Sequence, residues 1–293
     1  MLEQEPSRTA FAAAAYRAAH QVVDPGRIFQ DPFALPILGL TAETIVVSAQ
    51  AQQAQQAQGG MRFFIASRAR FAETALERGV EARGVEQLVV LGAGLDTFAY
   101  RNPLGDRLQI FEVDFPATQL WKKRRLKDAG IAIPETLAFA PVDFERDSLL
   151  GGLEAAGFAA GKRSCFMWLG VVPYLTLAAV SATLTSIGGL KRGAEVVFDD
   201  SDPPASLSPE MRALQAERAA RVAALGELFL TYCEPPALHT LLSRFGLGVV
   251  EDLGPRAMFE RFADAQTLAA IAIRGRALPE RGGHVVLAAT AHP

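Results

Sequence analysis

A glycine-rich turn is the part of the chain best suited to bind a charged ligand. Residues 87–101 have the sequence QLVVLGAGLDTFAYR. An aliphatic run, Leu88 to Leu91, predicts a buried strand, and it ends at Gly92-Ala93-Gly94 before a helix start. Glycine tolerates positive φ angles, and its missing Cβ atom lets backbone N–H groups approach a ligand closely. This pattern is typical of a nucleotide-like cofactor site.

A carboxylate follows the glycine turn at a spacing that is typical of Rossmann-like units. The apolar run Leu108 to Val113 predicts a second strand, and it ends at Asp114, about twenty residues after the turn. In Rossmann-like units an acidic residue at this spacing accepts hydrogen bonds from ribose hydroxyls. The turn and the carboxylate together therefore predict a nucleoside-binding site.

Composition narrows the class of partner. The chain has 293 residues, half of them hydrophobic, and a formal net charge of -3, so it offers no basic surface for nucleic acid. Two cysteines and four histidines in no ligand spacing predict neither a disulfide framework nor a metal site. No apolar run reaches the roughly 18 residues of a membrane span, and no signal peptide pattern opens the sequence. We expect a cytoplasmic protein that does not bind a membrane.

Strands and helices must alternate to bring the turn and the carboxylate together. Strands are predicted at 86–91, 107–113, 136–142, 164–169 and 194–199, with helices at 116–129, 145–157 and 176–190. This alternation predicts a doubly wound, mostly parallel sheet whose strand ends share one ligand-binding edge. Two later runs, 246–253 and 284–291, bring the expected number of strands to seven.

The chain is expected to form a single domain with four parts. These are an N-terminal helical cap (1–84), a cofactor-binding core (85–200), an insertion after the fifth strand (201–245) and the closing strands (246–293). An insertion at the ligand-binding edge predicts a lid. We call residues 201–245 the lid segment.

The N-terminal cap is predicted from its helix-forming residues. An alanine-rich helix begins near Ser7, a capping residue, and another helix runs from Met61 to Arg78. Between them, the low-complexity tract Ala49–Gln58 predicts an exposed helix that ends at Gly59-Gly60, with a disordered loop as the alternative.

Six short motifs occur in an order that resembles the leucine carboxyl methyltransferase family. They are TAxxxAxxRA from Thr9, DPFA at 31–34, LGAGLDTFAYR at 91–101, EVDFP at 112–116, VDF at 142–144 and WLGVVPYLT at 168–176. More narrowly, the chain is similar to the family's bacterial branch of S-adenosylmethionine-dependent O-methyltransferases, some linked to polyketide pathways. The resemblance implies a Rossmann-like class I methyltransferase sheet, S-adenosyl-L-methionine as cofactor, and methylation of a small-molecule hydroxyl or carboxyl group. It is weak in the lid segment.

The resemblance also implies roles for the residues of the glycine turn and the strand ends. Gly92 and Gly94 would line the methionine part of the cofactor, and Asp114 would accept hydrogen bonds from both ribose hydroxyls. Asp143 would contact the adenine amino group, and the Phe144 N–H would meet a ring nitrogen. As an alternative, Asp143 caps the helix that follows it.

Basic residues before the first strand are implied to contact the cofactor. Arg68, or else Arg70, would pair with the cofactor carboxylate, since an arginine donates two charge-assisted hydrogen bonds. Arg17 would lie near the cofactor or the acceptor, and its alternative is a surface partner of an acidic N-terminal residue. Asp96 and Arg101 would orient the turn.

The sequence identifies no catalytic base and no acceptor. His20, Tyr174 and His239 are candidate bases for a hydroxyl acceptor, whereas a carboxylate acceptor needs none. Relatives that methylate a protein carboxyl terminus carry a glutamate where this chain has Leu169, which favours a small, more apolar substrate. Oligomeric state is not indicated.

Two other classes of protein remain compatible with the sequence. A nicotinamide-dependent reductase shares the turn and the carboxylate, but it usually has a third glycine where this chain has Thr97. A protein that binds the cofactor without catalysis is the other alternative, because Leu169 replaces an acidic residue. Finally, Lys122 to Arg125 form a basic run on a predicted helix, and we expect these residues to be solvated.

Overall fold

The protein is built around a seven-stranded sheet, in a computed structural model that describes residues 7–54, 59–265 and 279–291. The strands are β1 (Gln87–Leu91), β2 (Gln109–Asp114), β3 (Leu137–Pro141), β4 (Ser164–Trp168), β5 (Ala194–Asp200), β6 (Leu247–Leu253) and β7 (His284–Thr290). Their order in the sheet is β3-β2-β1-β4-β5-β7-β6. Neighbouring strands are parallel except for β7, which runs antiparallel to β5 and β6. The predicted seven-stranded, mostly parallel sheet is confirmed.

Helices precede the sheet and connect its strands. Those before β1 are α1 (Arg8–Val23), α2 (Ala34–Leu38), α3 (Ala42–Ala54) and α4 (Gly59–Arg83). Those after it are α5 (Pro116–Asp128), α6 (Leu149–Ala155), α7 (Leu177–Gly188), α8 (Pro209–Ala224), α9 (Pro235–Arg244) and α10 (Pro255–Phe262). In the part of the chain that the structure describes, no helix is long and apolar enough to cross a membrane.

Strand β1 shows why the sheet is covered on both faces. Its five residues are all buried, as expected for a parallel strand between two helical layers. Leu88 and Val90 belong to the hydrophobic cluster that contains α4 and part of α10, whereas Val89 and Leu91 belong to the cluster with α6, α7 and α9. Because β1 lies between β2 and β4, the glycine turn at its carboxyl end is near the middle of one sheet edge.

The helices before β1 are held partly by their own caps. Ser7 caps α1, because its Oγ accepts the Ala10 N–H at 3.1 Å. Helices α1, α2 and α3 share a third hydrophobic cluster with α5. The first part of the low-complexity tract lies in α3, whereas residues 55–58 lie outside the described residues. Gly59 and Gly60 do not end a helix as predicted; they begin α4.

Two further local expectations are wrong. The helix predicted at 145–157 is shorter, because Ser148 caps α6 by accepting the Gly151 N–H at 3.2 Å. In the basic run of α5, Lys122 is not solvated: its side chain is buried and its Nζ lies 2.7 Å from Oε2 of the buried Glu112. Lys123 and Arg124 are exposed, as expected. A helix seen alone does not show which of four consecutive charges will face the sheet.

Candidate functional site

A cavity of about 1990 Å³ opens at the carboxyl ends of the parallel strands. Its wall includes the glycine turn, the ends of β2, β3 and β4, one side of α1, and much of the lid segment. The cavity brings together every cofactor-binding residue that the sequence predicts: Arg17, Arg68, Gly92, Gly94, Asp114, Asp143 and Phe144. Residues far apart in the chain therefore line the same cavity.

Glycine is required at both positions of the turn, because of the backbone conformation and because neighbouring residues lie too close for a side chain. Gly92 and Gly94 have φ angles of 63° and 46°, which L side chains rarely adopt. A Cβ atom on Gly92 would lie 2.4 Å from Cγ2 of Val171, and one on Gly94 would lie 2.9 Å from Cβ of Ala10. Because these side chains are missing, the loop after β4 and helix α1 can pack closely against the turn. The sequence did not indicate this packing requirement.

Asp114 is buried at the end of β2 and is tied to the glycine turn. Its Oδ2 accepts the Gly94 N–H at 2.5 Å, and its Oδ1 accepts the Phe115 N–H at 2.7 Å. Burial raises the pKa of Asp114 to about 6, although the two N–H donors oppose that shift. Each carboxylate oxygen still has room for another donor from the cavity.

The end of β3 presents a turn rather than a helix start. Oδ1 of Asp143 accepts the Glu145 N–H at 3.0 Å, so this carboxylate stabilises the turn before α6 and does not cap the helix. Phe144 packs on Trp168 with ring centres 6.4 Å apart. Within the described residues, the Phe144 N–H donates no hydrogen bond, and the residue lines the cavity. A ligand that carries an acceptor atom can therefore bond to this N–H.

Of the two arginines considered for a carboxylate, only Arg68 reaches the cavity. Arg70 is exposed and is not among the lining residues, whereas Arg68 is buried and donates from Nη1 to Oδ2 of Asp199 at 2.7 Å. Its Nε and Nη2 groups donate to no other described residue. The guanidinium lies against Gly170, where a Cβ atom would be 2.8 Å from Nη2.

Arg17 is buried, so the alternative that it is a surface residue is wrong. It donates from Nε to Oδ2 of Asp31 at 3.1 Å and from Nη2 to the Leu95 carbonyl at 2.5 Å. The same Asp31 oxygen accepts the Thr97 hydroxyl at 2.8 Å. Asp31 of the DPFA motif thus connects α1 to the glycine turn, a role that sequence reasoning missed because its partners are distant in the chain.

Arg101 also contributes to this connection. It donates from Nε to the Thr97 hydroxyl at 3.2 Å and pairs with Glu73 of α4 through both carboxylate oxygens. Asp96 accepts the Phe98 N–H at 2.8 Å. Both residues hold the segment that follows the turn, which is the position from which they would orient it.

Glu227 of the lid segment binds the N-terminus of α1. Oε1 of Glu227 accepts the N–H groups of Arg8 and Thr9 at 3.0 and 3.3 Å, and Oε2 accepts the Thr9 hydroxyl at 2.6 Å. A carboxylate at a helix N-terminus is favoured by the unpaired N–H groups there. Thr9 and Glu227 both line the cavity, and no local pattern in the sequence could have revealed their contact.

The three candidate bases differ in their position relative to the cavity. His20 is fully buried, contacts Asp24 at 3.0 Å and does not line the cavity. His239 lies outside the cavity and contacts Asp252 at 2.6 Å. Tyr174 does line it, but burial raises the pKa of its phenol, so the hydroxyl stays protonated near neutral pH. Leu169 also lines the cavity and is partly buried.

Comparison with known proteins gives one family and several relatives. The family model for leucine carboxyl methyltransferase matches residues 10–188. A Bacillus subtilis protein, YktD, provisionally named an S-adenosyl-L-methionine-dependent methyltransferase, is 36% identical over 59% of this chain and 57% of its own length. A Rhodococcus jostii protein with the same provisional name is 34% identical over 66% of this chain and 65% of its own. The chain thus spans about three-fifths of the length of these curated relatives.

Two solved structures share the fold across nearly the whole chain. A duf574 family protein from Streptomyces avermitilis has a TM-score of 0.59 at 14% identity and covers 99% of this chain and 100% of its own. A provisionally identified methyltransferase from Thermobifida fusca has a TM-score of 0.58 at 15% identity and covers 97% of this chain and 95% of its own. The sheet is accordingly a Rossmann-like class I methyltransferase sheet, as predicted.

Proposed function

The chain belongs to the leucine carboxyl methyltransferase family, and from this premise we propose that it transfers a methyl group from S-adenosyl-L-methionine to a hydroxyl or carboxyl oxygen of a small molecule. One observation carries the proposal. A single cavity holds a buried carboxylate, Asp114, a buried guanidinium, Arg68, and the backbone N–H of Phe144, which donates to no described residue. The provisional names of the relatives support the choice of cofactor.

The polar groups of the cavity fit this cofactor. Asp114 retains acceptor capacity for ribose hydroxyls, and the Phe144 N–H can donate to a ring nitrogen of adenine, with Asp143 beside it for the amino group. Nε and Nη2 of Arg68 donate to no described residue and can bind the carboxylate of the methionine part. Of the seven predicted residues Arg17 is the most engaged, because Asp31 and Leu95 already accept from two of its nitrogens.

The chemistry demands alignment more than acid–base catalysis. When bound, S-adenosyl-L-methionine supplies an activated methyl group, so the acceptor oxygen forms the C–O bond in line as the C–S bond breaks. The chain must orient the acceptor and exclude water. Glu227 supports this role because it holds the lid segment on α1. Among the described residues no histidine lines the cavity, and an acceptor that is ionised before it binds needs none.

Calorimetric titration of the purified protein with S-adenosyl-L-methionine, NADH and NADPH tests the class of cofactor. Micromolar binding of S-adenosyl-L-methionine alone supports the proposal, and formation of S-adenosylhomocysteine with an acceptor separates catalysis from binding alone. Preference for a nicotinamide would instead support the reductase alternative. Binding with no turnover for any acceptor would favour a cofactor-binding protein.

Cofactor affinity is expected to rise with pH through about 6, the raised pKa of Asp114. Ribose hydroxyls donate to the ionised carboxylate, so binding favours deprotonation and weakens when Asp114 is protonated at lower pH. Lys122 and Glu227 are the charged neighbours that shift this titration in opposite directions. Calorimetry from about pH 5 to about pH 8 should show the trend in the natural protein. It should be absent in Asp114→Asn, and an unchanged trend there would assign it to another group.

Arg68→Gln should weaken S-adenosylhomocysteine binding about tenfold or more, because hydrogen bonds to charged groups contribute about 1.5–3 kcal/mol. Methylthioadenosine has the same nucleoside without the carboxylate, so its affinity should change little. Arg70→Gln is the matched control, since that arginine is exposed. Equal losses for both ligands would mean that Arg68 acts only through its ion pair with Asp199.

A further inference from the structure

Seven arginines line the cavity within the described ranges, and Arg218 of α8 differs from the rest. The other six each have a carboxylate oxygen within 4.0 Å: Arg17, Arg27, Arg62, Arg68, Arg146 and Arg221. No described carboxylate lies that close to Arg218, and no lysine or histidine of the described chain lines the cavity. Arg218 therefore carries the one positive charge on this wall without an ion-pair partner among those residues.

An aromatic ring lies against that charge, and two more rings pack on it. The guanidinium carbon of Arg218 lies 5.1 Å from the ring centre of Phe229. Phe229 in turn packs against Tyr174 at 5.1 Å and Tyr232 at 6.3 Å, and all three rings line the cavity. Burial raises the pKa of both tyrosines, and the positive charge of Arg218 opposes that shift. A planar cation is thus presented at the edge of an aromatic wall.

We propose that the methyl acceptor is an aromatic anion whose charged group binds Arg218 and whose ring packs on Phe229, Tyr174 and Tyr232. This inference rests on the proposed function and names the acceptor class of the same site. A guanidinium binds carboxylates and similar anions through paired hydrogen bonds, and an unpaired one that is half-buried gains most from such a ligand. Aromatic walls bind flat apolar bodies. An acceptor that arrives ionised also requires no histidine at the cavity.

Two fluorescent probes with related ring systems test the charge requirement. 8-Anilinonaphthalene-1-sulfonate is an aromatic anion, and N-phenyl-1-naphthylamine is its neutral counterpart without the sulfonate. Each is titrated into the full chain in the presence of S-adenosylhomocysteine, for the natural protein, Arg218→Gln, Arg218→Lys and Arg221→Gln. Arg221 is the matched control, because it lines the same cavity from the same helix but is paired with Glu217. Melting curves check that each variant is folded.

Arg218→Gln should weaken binding of the anionic probe about tenfold or more while the neutral probe changes less than about twofold, since only a charge-assisted contact is lost. Arg218→Lys should restore part of the affinity, and Arg221→Gln should have little effect. 1-Naphthoate, but not 1-naphthylmethanol, should displace the anionic probe. Unchanged affinity in Arg218→Gln, equal losses for both probes, or equal losses in the Arg221 variant would each overturn the proposal.

S-adenosylhomocysteine titrations of the same proteins separate the two proposals. Its affinity should not change in Arg218→Gln, and a large loss would assign Arg218 to the cofactor and so overturn the acceptor assignment. Failure of the natural protein to bind S-adenosylhomocysteine would contradict the proposed function, whatever the two probes do.

Discussion

Asp114→Asn is expected to weaken S-adenosyl-L-methionine binding by about 1.5–3 kcal/mol, roughly 13- to 160-fold, the range for losing hydrogen bonds to a charged group. The substitution keeps the size of the side chain and removes its charge. It also replaces an acceptor oxygen by an NH₂ donor, which cannot accept from a ribose hydroxyl or from the Gly94 or Phe115 N–H groups. Both effects lower affinity, and calorimetric titration measures their sum.

The ribose assignment also predicts how Asp114→Asn changes the affinity for two different ligands. S-adenosylhomocysteine and methylthioadenosine share the ribose, so both should lose affinity by a similar factor, unlike the selective loss expected for Arg68→Gln. Asp106→Asn, in the exposed turn before β2, is the control for a charge change that does not reach the cavity. If Asp114→Asn binds either ligand as tightly as the natural protein, Asp114 does not hold the ribose.

Lys122→Met is expected to lower the free energy of unfolding by about 3–5 kcal/mol, the usual cost of breaking a buried ion pair from one side. Lys122 and Glu112 are both 1% exposed, and their charged atoms are 2.7 Å apart. Without the ammonium, Glu112 must either stay ionised in an apolar region or take up a proton. Urea unfolding at neutral pH measures the loss.

The pH dependence of this variant has a defined sign. Burial raises the pKa of Glu112 to about 7 even with Lys122 opposing the shift, against 4.5 for an ordinary glutamate. Loss of Lys122 raises it further, so the folded variant binds more protons than the unfolded chain above pH 4.5. Its stability deficit relative to the natural protein should therefore grow as the pH rises through neutrality.

Two further variants separate charge burial from other causes. Lys123→Met changes the next residue of α5, which is exposed, and should shift stability by less than about 0.5 kcal/mol. Adding Glu112→Gln to Lys122→Met removes the second charge and should recover part of the loss. Equal stability of the Lys122 and Lys123 variants would show that the buried pair contributes little.

The secondary structure and the strand-end residues were predictable because their signals are local. An apolar run of four to six residues that stops at a glycine or an aspartate marks both a buried strand and its end, as at Gly92 and Asp114. Parallel strands connected by helices must bring such ends to one edge. That rule places Asp143 beside Asp114 without any knowledge of side-chain contacts.

The errors arose where one residue depends on a distant one. Lys122 stands in a charged run, and periodicity alone does not say that Glu112 of β2 will lie beneath it. Arg17 pairs with Asp31, fourteen positions away in a connection without regular structure. In each case a specific pairing decided the outcome, and pairings leave no repeat in the sequence.

By itself the sequence determined the sheet, the glycine turn, the carboxylate at the end of β2 and the family, since these depend on local patterns and ordered motifs. Tertiary structure alone decided that Arg68, rather than Arg70, reaches the cavity and pairs with Asp199, 131 positions away. It also placed Glu227 on the first turn of α1, 219 positions from Arg8, and left Arg218 unpaired among the described carboxylates. The physical reason is that burial and charge pairing depend on which surfaces meet, and folding brings those surfaces together.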